Sequence, residues 1–212
     1  LVLGDRTNTS AAAANGNVEV GARARTAFVR CGGNATVRDH ADIAGALTAG
    51  GRLVKQNGIR IGSTVTVGAA AAGMVREHAV AAVPLPGNAS ALANASALEV
   101  PPDSPDVALA PGTYGDVVLY ARSNVSMAAG DYVLRSFTIE RNVHLRLSAG
   151  APVRLLVAGE VQWGDAARQL FDQPQHAGPA SFQLHVHGDT VRIGTDQDSE
   201  STPFTGDIYA PN

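Results

Sequence analysis

The sequence predicts an all-β chain wound as a single-stranded parallel β-helix, a solenoid with a Pro/Ala/Ser-rich excursion in its middle. Three observations carry this prediction. Phrases recur at a fixed offset: Gly112-Thr113-Tyr114 returns as Gly130-Asp131-Tyr132, and Val125-Ser126-Met127 returns as Val143-His144-Leu145 and again as Val161-Gln162-Trp163. Within each run apolar residues alternate, the period of a strand with one buried face. Repeats this short leave no room for crossover helices, and parallel strands cannot be joined by tight hairpins, so a coiled path remains. The common phase places Val125, Val143 and Val161 in one inward column and Met127, Leu145 and Trp163 in the next.

Composition narrows the core and the partners. Hydrophobic residues make up 45% of the 212 but aromatics only 5%, so a single domain has to be filled with small aliphatic side chains, which suits a narrow prism. A net charge of -3 without a basic patch argues against nucleic acid as a partner. No stretch approaches the roughly 18 continuous apolar residues of a transmembrane segment. Cys31 is the only cysteine, which rules out an internal disulfide and reads as a small buried hydrophobe. The chain opens on Leu1 rather than Met, as a processed or excerpted protein would.

Along the chain, residues 1–68 read as first coils. Short strands fall at Asn17–Gly21, Ala35–Val37, Gly58–Gly62 and Ser63–Gly68, with Gly32-Gly33, Gly50-Gly51 and Asn57-Gly58 expected to supply positive-φ corners. The period is looser here than later. Residues 69–105 read as an excursion: Ala69–Val83 has helix-forming composition ended by Pro84 and Pro86, and the stretch to Pro105 is a Pro/Ala/Ser-rich loop. Regular coils resume over 106–212, with strands at Val153–Val157, Phe182–Val186 and Val191–Gly194.

The phrases Pro111-Gly112-Thr113-Tyr114-Gly115-Asp116 and Gly206-Asp207-Ile208-Tyr209-Ala210-Pro211-Asn212, with Ala129-Gly130-Asp131-Tyr132 and Pro152–Gly159 between them, resemble secreted bacterial β-solenoid domains of choice-of-anchor A and pilus-associated surface proteins. The likeness covers residues 108–212; bactofilins are a more distant analogy of architecture. It implies an extracellular or cell-surface scaffold without an established catalytic site. Similar proteins continue past the last phrase with further strands, so the coil ending at Asn212 is expected to lie uncovered.

Several residues carry chemistry that a scaffold does not need. A uronate-cleaving site needs carboxylates and cations facing one groove; Asp189, Asp196, Asp198 and Glu200 with Arg192 and Arg168 are the candidates, and Asp196–Glu200 reads as a solvated turn. The alternate spacing of Asp196, Asp198 and Glu200 could gather calcium, but the central Gly and full ligand set of a calcium loop are missing. His185 and His187 share a strand face without a third metal ligand, and His144 reads as a surface imidazole. No nucleophile elbow or phosphate-binding loop occurs, and Thr64-Val65-Thr66 is a lone Thr-x-Thr. Five sequons begin at Asn8, Asn34, Asn88, Asn94 and Asn124, and read mainly as turn chemistry. The expectation is therefore no catalytic residue, cofactor or metal.

These readings converge on a non-enzymatic extracellular structural protein that self-associates. The alternatives are a carbohydrate-binding or carbohydrate-cleaving β-helix with a glycan partner, and a cell-surface adhesin module. An open last coil is a template for another strand. The expected self-assembly residues are Phe204, Ile208 and Tyr209 on that coil, covered by Leu1, Val2, Leu3 and Gly4 of a neighbouring copy. Such a head-to-tail contact does not close and generates a filament.

Overall fold

The computed structural model describes residues 1–68, 89–148, 151–171, 182–194, 204 and 206–210. Ten short strands fill the first part: β1 (Val2–Leu3), β2 (Asn8–Ala14), β3 (Val18–Val20), β4 (Arg25–Cys31), β5 (Ala35–Val37), β6 (Asp42–Ile43), β7 (Leu47–Ala49), β8 (Leu53–Lys55), β9 (Arg60–Ile61) and β10 (Val65–Val67). A single helical turn, α1 (Ala89–Ala93), precedes β11 (Leu98–Val100), β12 (Val107–Leu109), β13 (Gly112–Leu119), β14 (Asn124–Met127), β15 (Gly130–Ile139) and β16 (His144–Leu147). The remainder are β17 (Val153–Val157), β18 (Val161–Trp163), β19 (Arg168–Phe171), β20 (Phe182–Val186), β21 (Val191–Ile193) and β22 (Asp207–Ala210). The stack thus already includes Leu98–Val100, inside the span expected for the excursion. The expected helix over 69–83 lies outside the described residues.

The strand pairs are parallel and form a β-solenoid of about eight turns with three faces. On the first face the order is β13, β15, β17, β20, β22, β2, β4, β7, β10. On the second it is β11, β13, β15, β18, β21, β1, β3, β5, β8. The third carries β12, β14, β16 and β19, and farther along the axis the start of β2 and of β4, then β6 and β9. Spatial order therefore differs from chain order: residues 98–210 form the lower stack, and residues 1–68 continue it upward. Eight inter-strand steps of about 4.8 Å make the stack roughly 38 Å long. The twenty residues between Gly68 and Ala89, which could reach roughly 66 Å when extended, can return over that length.

The expected inward columns are corrected. Val125, Val143, Val161, Met127, Leu145 and Trp163 are all buried, but Val125 pairs with Leu145, Met127 with Leu147, and Trp163 with Ile139 on another face. The true offset between β14 and β16 is twenty residues, two more than the repeat in the sequence suggests. A slip of two preserves side-chain parity, so burial is right while the neighbours are wrong. The expected contrast in regularity also reverses. Offsets in the first part are 17 or 18 (Val18 to Ala35, Ala35 to Leu53), whereas in the second part they grow to 24 (Phe137 to Val161) and then 30 (Val161 to Val191) because extra residues enter between the strands.

One corner recurs in the described coils. Between the second and third faces a residue takes the left-handed conformation: Arg6, Arg23, His40 and Gly58 in the upper stack, Asp103, Arg122, Asn142 and Ala166 in the lower. Most of these are not glycine, so the corner is held by its surroundings against a penalty of about 1–2 kcal/mol per residue. Gly32 and Gly50, expected at such corners, have another role. A Cβ at Gly32 would lie 2.2 Å from the Asn15 carbonyl oxygen, so glycine there permits close stacking of successive coils. At the same corner Asn17 Oδ1 accepts from the Asn34 N–H, and Asn34 Oδ1 accepts from the Arg52 N–H, each at 2.8 Å.

The interior is one continuous hydrophobic core running through both stacks. It contains an edge-to-face aromatic cluster in which Trp163 meets Phe137, Phe182 and Phe204 at centroid distances of 6.4, 5.9 and 5.1 Å. Outward side chains form ion pairs between adjacent coils, including Arg135–Asp116 and Arg154–Asp131. Among the described residues no helix is long and apolar enough to cross a membrane.

Candidate functional site: the coil shared by the two chain ends

The seven residues expected to mediate self-assembly lie together on one coil, but within a single chain. Val2 and Leu3 pair with Arg192 and Ile193 below and with Glu19 and Val20 above. β22 is held in the same way, with Ile208 between Leu184 and Ala12. The expectation of an uncovered coil at Phe204–Asn212 is thereby corrected, since β2 covers it. Spatial order differs from chain order, so a contact expected between copies is made within one chain.

The two ends follow one another along the same turn. Ala210 accepts a hydrogen bond from the Asn15 N–H, and the Leu1 nitrogen donates to the Asn17 carbonyl. Leu3, Ile208 and Phe204 point inward and are buried, Phe204 against Trp163 and Phe182. Tyr209 points outward and stacks on His185, with centroids 4.7 Å apart and planes 14° apart, while its hydroxyl donates to Asp207 Oδ2. Burial raises the pKa of both Asp207 and Tyr209. Gly4 nests between two other glycines: a Cβ there would lie 2.6 Å from the Gly194 carbonyl carbon, and one on Gly21 would lie 2.5 Å from that of Gly4. The sequence therefore carries the seam's geometry on both sides of the break.

Among the described residues the outermost coils of the solenoid are elsewhere. At the upper end Val65 and Val67 occupy inward positions above Leu47 and Ala49 yet are 40% and 43% exposed, and outward Val54 is 53% exposed. At the lower end Leu98 and Val107 are half-buried, and Tyr114 donates its hydroxyl to the Ala110 carbonyl. The sequence signal that could have located the upper end is polar: Lys55 stands at an inward position above Val37, where an enclosed coil would carry an apolar residue.

Of the candidate enzyme residues, the described ones stand on different faces and turns. Arg192 projects from the second face and Arg168 from the third, both exposed, while Asp189 is exposed in the turn before β21. Asp196, Asp198 and Glu200 lie outside the described residues. His185 sits on the outer side of β20, in a column with Leu156 and Tyr209, and His187 follows the strand's end. Burial first, then His187 and Arg154, lower the His185 pKa, and Asp131 opposes them. His144 shares a hydrogen bond of 3.1 Å with Asn124. Among the described residues no three His, Cys, Asp or Glu side chains are grouped to hold a metal. Cys31 is buried, which raises its thiol pKa to about 11 and keeps it protonated and unreactive.

The fold and the seam define the class of this molecule: a parallel β-solenoid whose two halves are stacked in the reverse of their chain order. No protein-family model, curated protein or solved structure matches the chain.

Proposed function

We propose that this chain is a non-enzymatic structural protein of the cell exterior, a rod-like subunit that self-associates into a fibre or matrix. The observation that carries the reading is the upper end of the described stack, where Val65 and Val67 are exposed at inward positions and, among the described residues, no strand pairs with the outer edges of β8, β9 and β10. Soluble solenoids cover such ends or use them, because an open edge templates further strands. The resemblance of the Pro111–Asp116 and Gly206–Asn212 phrases to bacterial surface domains supports the exterior location. Dispersal of Asp189, Arg192 and Arg168 over different faces and turns supports a scaffold over a polysaccharide-cleaving enzyme.

A second reading, contact with acidic glycans, is favoured by one observation. The third face directs Asn124, His144, Arg146 and Arg168 outward from successive strands. Negative-stain microscopy and sedimentation of the purified chain over a range of concentrations test the main reading. Rods longer than the roughly 38 Å stack, growing with concentration, are expected. A monodisperse monomer throughout would overturn it, and retention on immobilised polyuronate by that monomer would favour the second reading.

A further inference from the structure

We propose that the partner at each free end is the opposite end of a second copy, with a basic upper end seated on an acidic lower end. This rests on the self-association reading above and specifies its contact. The terminal upper coil, residues 51–68, contains Arg52, Lys55 and Arg60 and no acidic residue. The terminal lower coil, residues 96–111, contains Glu99, Asp103 and Asp106 and no basic residue. All six side chains belong to exposed residues.

The backbone matches as well as the charge. Both ends present the same three faces with the chain running in the same direction: β8 and β11 on the second face, β9 and β12 on the third, β10 and β13 on the first. Placing one copy above another by a single further step of about 4.8 Å would extend each parallel ladder without reversing a strand. The inward residues Leu53, Ile61, Val65 and Val67 would then cover Leu98, Val107 and Tyr114.

The charges fall on corresponding parts of the prism. Arg52 begins the second face and Glu99 lies on it, and Arg60 and Asp106 stand where the third face begins; Lys55 ends β8 on its inward side, from which its long stem would carry the ammonium out toward the corner residue Asp103 of the copy above. Asp103 and Asp106 also meet Arg122 and Arg146 of their own copy, so the ionic contribution sets orientation while apolar contact supplies most of the affinity. Like ends would bring cations to cations or acids to acids, in the wrong strand direction. The contact is thus heterologous and extends without closing.

Two charge-reversed chains test this. One carries Arg52→Glu, Lys55→Glu and Arg60→Glu; the other carries Glu99→Lys, Asp103→Lys and Asp106→Lys. Circular dichroism first establishes that each retains the strand signal of the unaltered chain, with single substitutions at Lys55 and Glu99 as fallback. Each reversed chain alone is expected to remain monomeric at concentrations where the unaltered chain assembles, and a 1:1 mixture is expected to form alternating fibres. If the unaltered chain assembles and both reversed chains assemble equally well alone, or their mixture stays monomeric, the end pairing is wrong while self-association stands. If the unaltered chain never assembles, the self-association reading itself fails.

Discussion

Leu3 and Ile193 are neighbours in a parallel ladder, one near the start of the chain and the other near its end. No covalent bond crosses this junction. It is held by backbone pairing of β1 with β21 and of β22 with β2, and by burial of Leu3, Ile208 and Phe204 in the common core. Burying each such large side chain contributes about 1.5–3 kcal/mol. The solenoid is therefore continuous in space although the chain is broken within it.

A circular permutant should fold. Three residues, Asn15 to Asn17, separate Ala14 from Val18 in the covering coil, and four, His187 to Thr190, separate Val186 from Val191 in the coil below. Pro211 and Asn212 supply two residues for the matching gap between Ala210 and Leu1. Joining Asn212 to Leu1 through one or two glycines, and opening the chain between residues 69 and 88, should preserve the strand signal in circular dichroism. Tm should stay within a few degrees, since about 1 kcal/mol moves a domain of this size by roughly 2–4 °C. Loss of the cooperative transition would mean that the two ends do not adjoin.

Gly4 provides a sharper test of the same junction. In Gly4→Ala the added methyl would meet Gly194 backbone, which cannot rotate away, so the coils must separate locally. A cost of about 1–3 kcal/mol is expected, in line with overpacking elsewhere. Gly68→Ala is the comparison: its φ of 77° disfavours alanine, but nothing lies within 4 Å of the new carbon, so about 1–2 kcal/mol of conformational cost applies without a clash. Urea midpoints would decide. An unchanged midpoint for Gly4→Ala would rule out the close glycine stacking.

Much of the fold was legible because parity survives errors of register. Alternation in Val153–Val157 and Phe182–Val186 gave the correct strands, and the recurring phrases gave a solenoid. The columns failed because turns absorb insertions that sequence offsets cannot distinguish from strand residues. β2 was invisible for another reason: Asn8–Ala14 is largely alanine, a poor strand former by propensity, yet Ala12 and Ala14 fit beneath Val29 and Cys31 where little space remains. The seven residues expected at a contact between copies adjoin instead within one chain. That their contact is made within one chain depends on residues 98–210 stacking beneath residues 1–68, an order that no local pattern encodes.

Trp163, the sole tryptophan, tests the aromatic cluster. Its Nε1 is buried without a hydrogen-bond partner, a situation that costs about 1–3 kcal/mol. Trp163→Phe would remove that donor while keeping a ring between Phe137, Phe182 and Phe204, so the lost volume and the relieved polar group partly offset. Its destabilisation should fall well below that of Trp163→Ala, for which about 3–5 kcal/mol is expected. Equal losses in chemical denaturation would show that ring packing is not what this position contributes.

His185 makes stability depend on pH near neutrality. Burial among its neighbours on the outer side of β20 holds its pKa below the ordinary value of 6.5, and the nearby His187 and Arg154 act in the same direction. The unfolded chain takes up a proton as pH falls through about 6.5, whereas the folded chain resists until lower pH, so acid favours unfolding. The contribution is present above pH 6.5 and is lost progressively as pH falls toward the depressed folded value. Because His185 stacks on Tyr209 of the final strand, the loss should be felt at the seam. Thermal melts at about pH 7.5 and 5.5 should show a larger drop for the unaltered chain than for His185→Phe, which keeps an aromatic ring against Tyr209 but cannot be protonated. Identical drops for the two chains would assign the acid sensitivity to other groups.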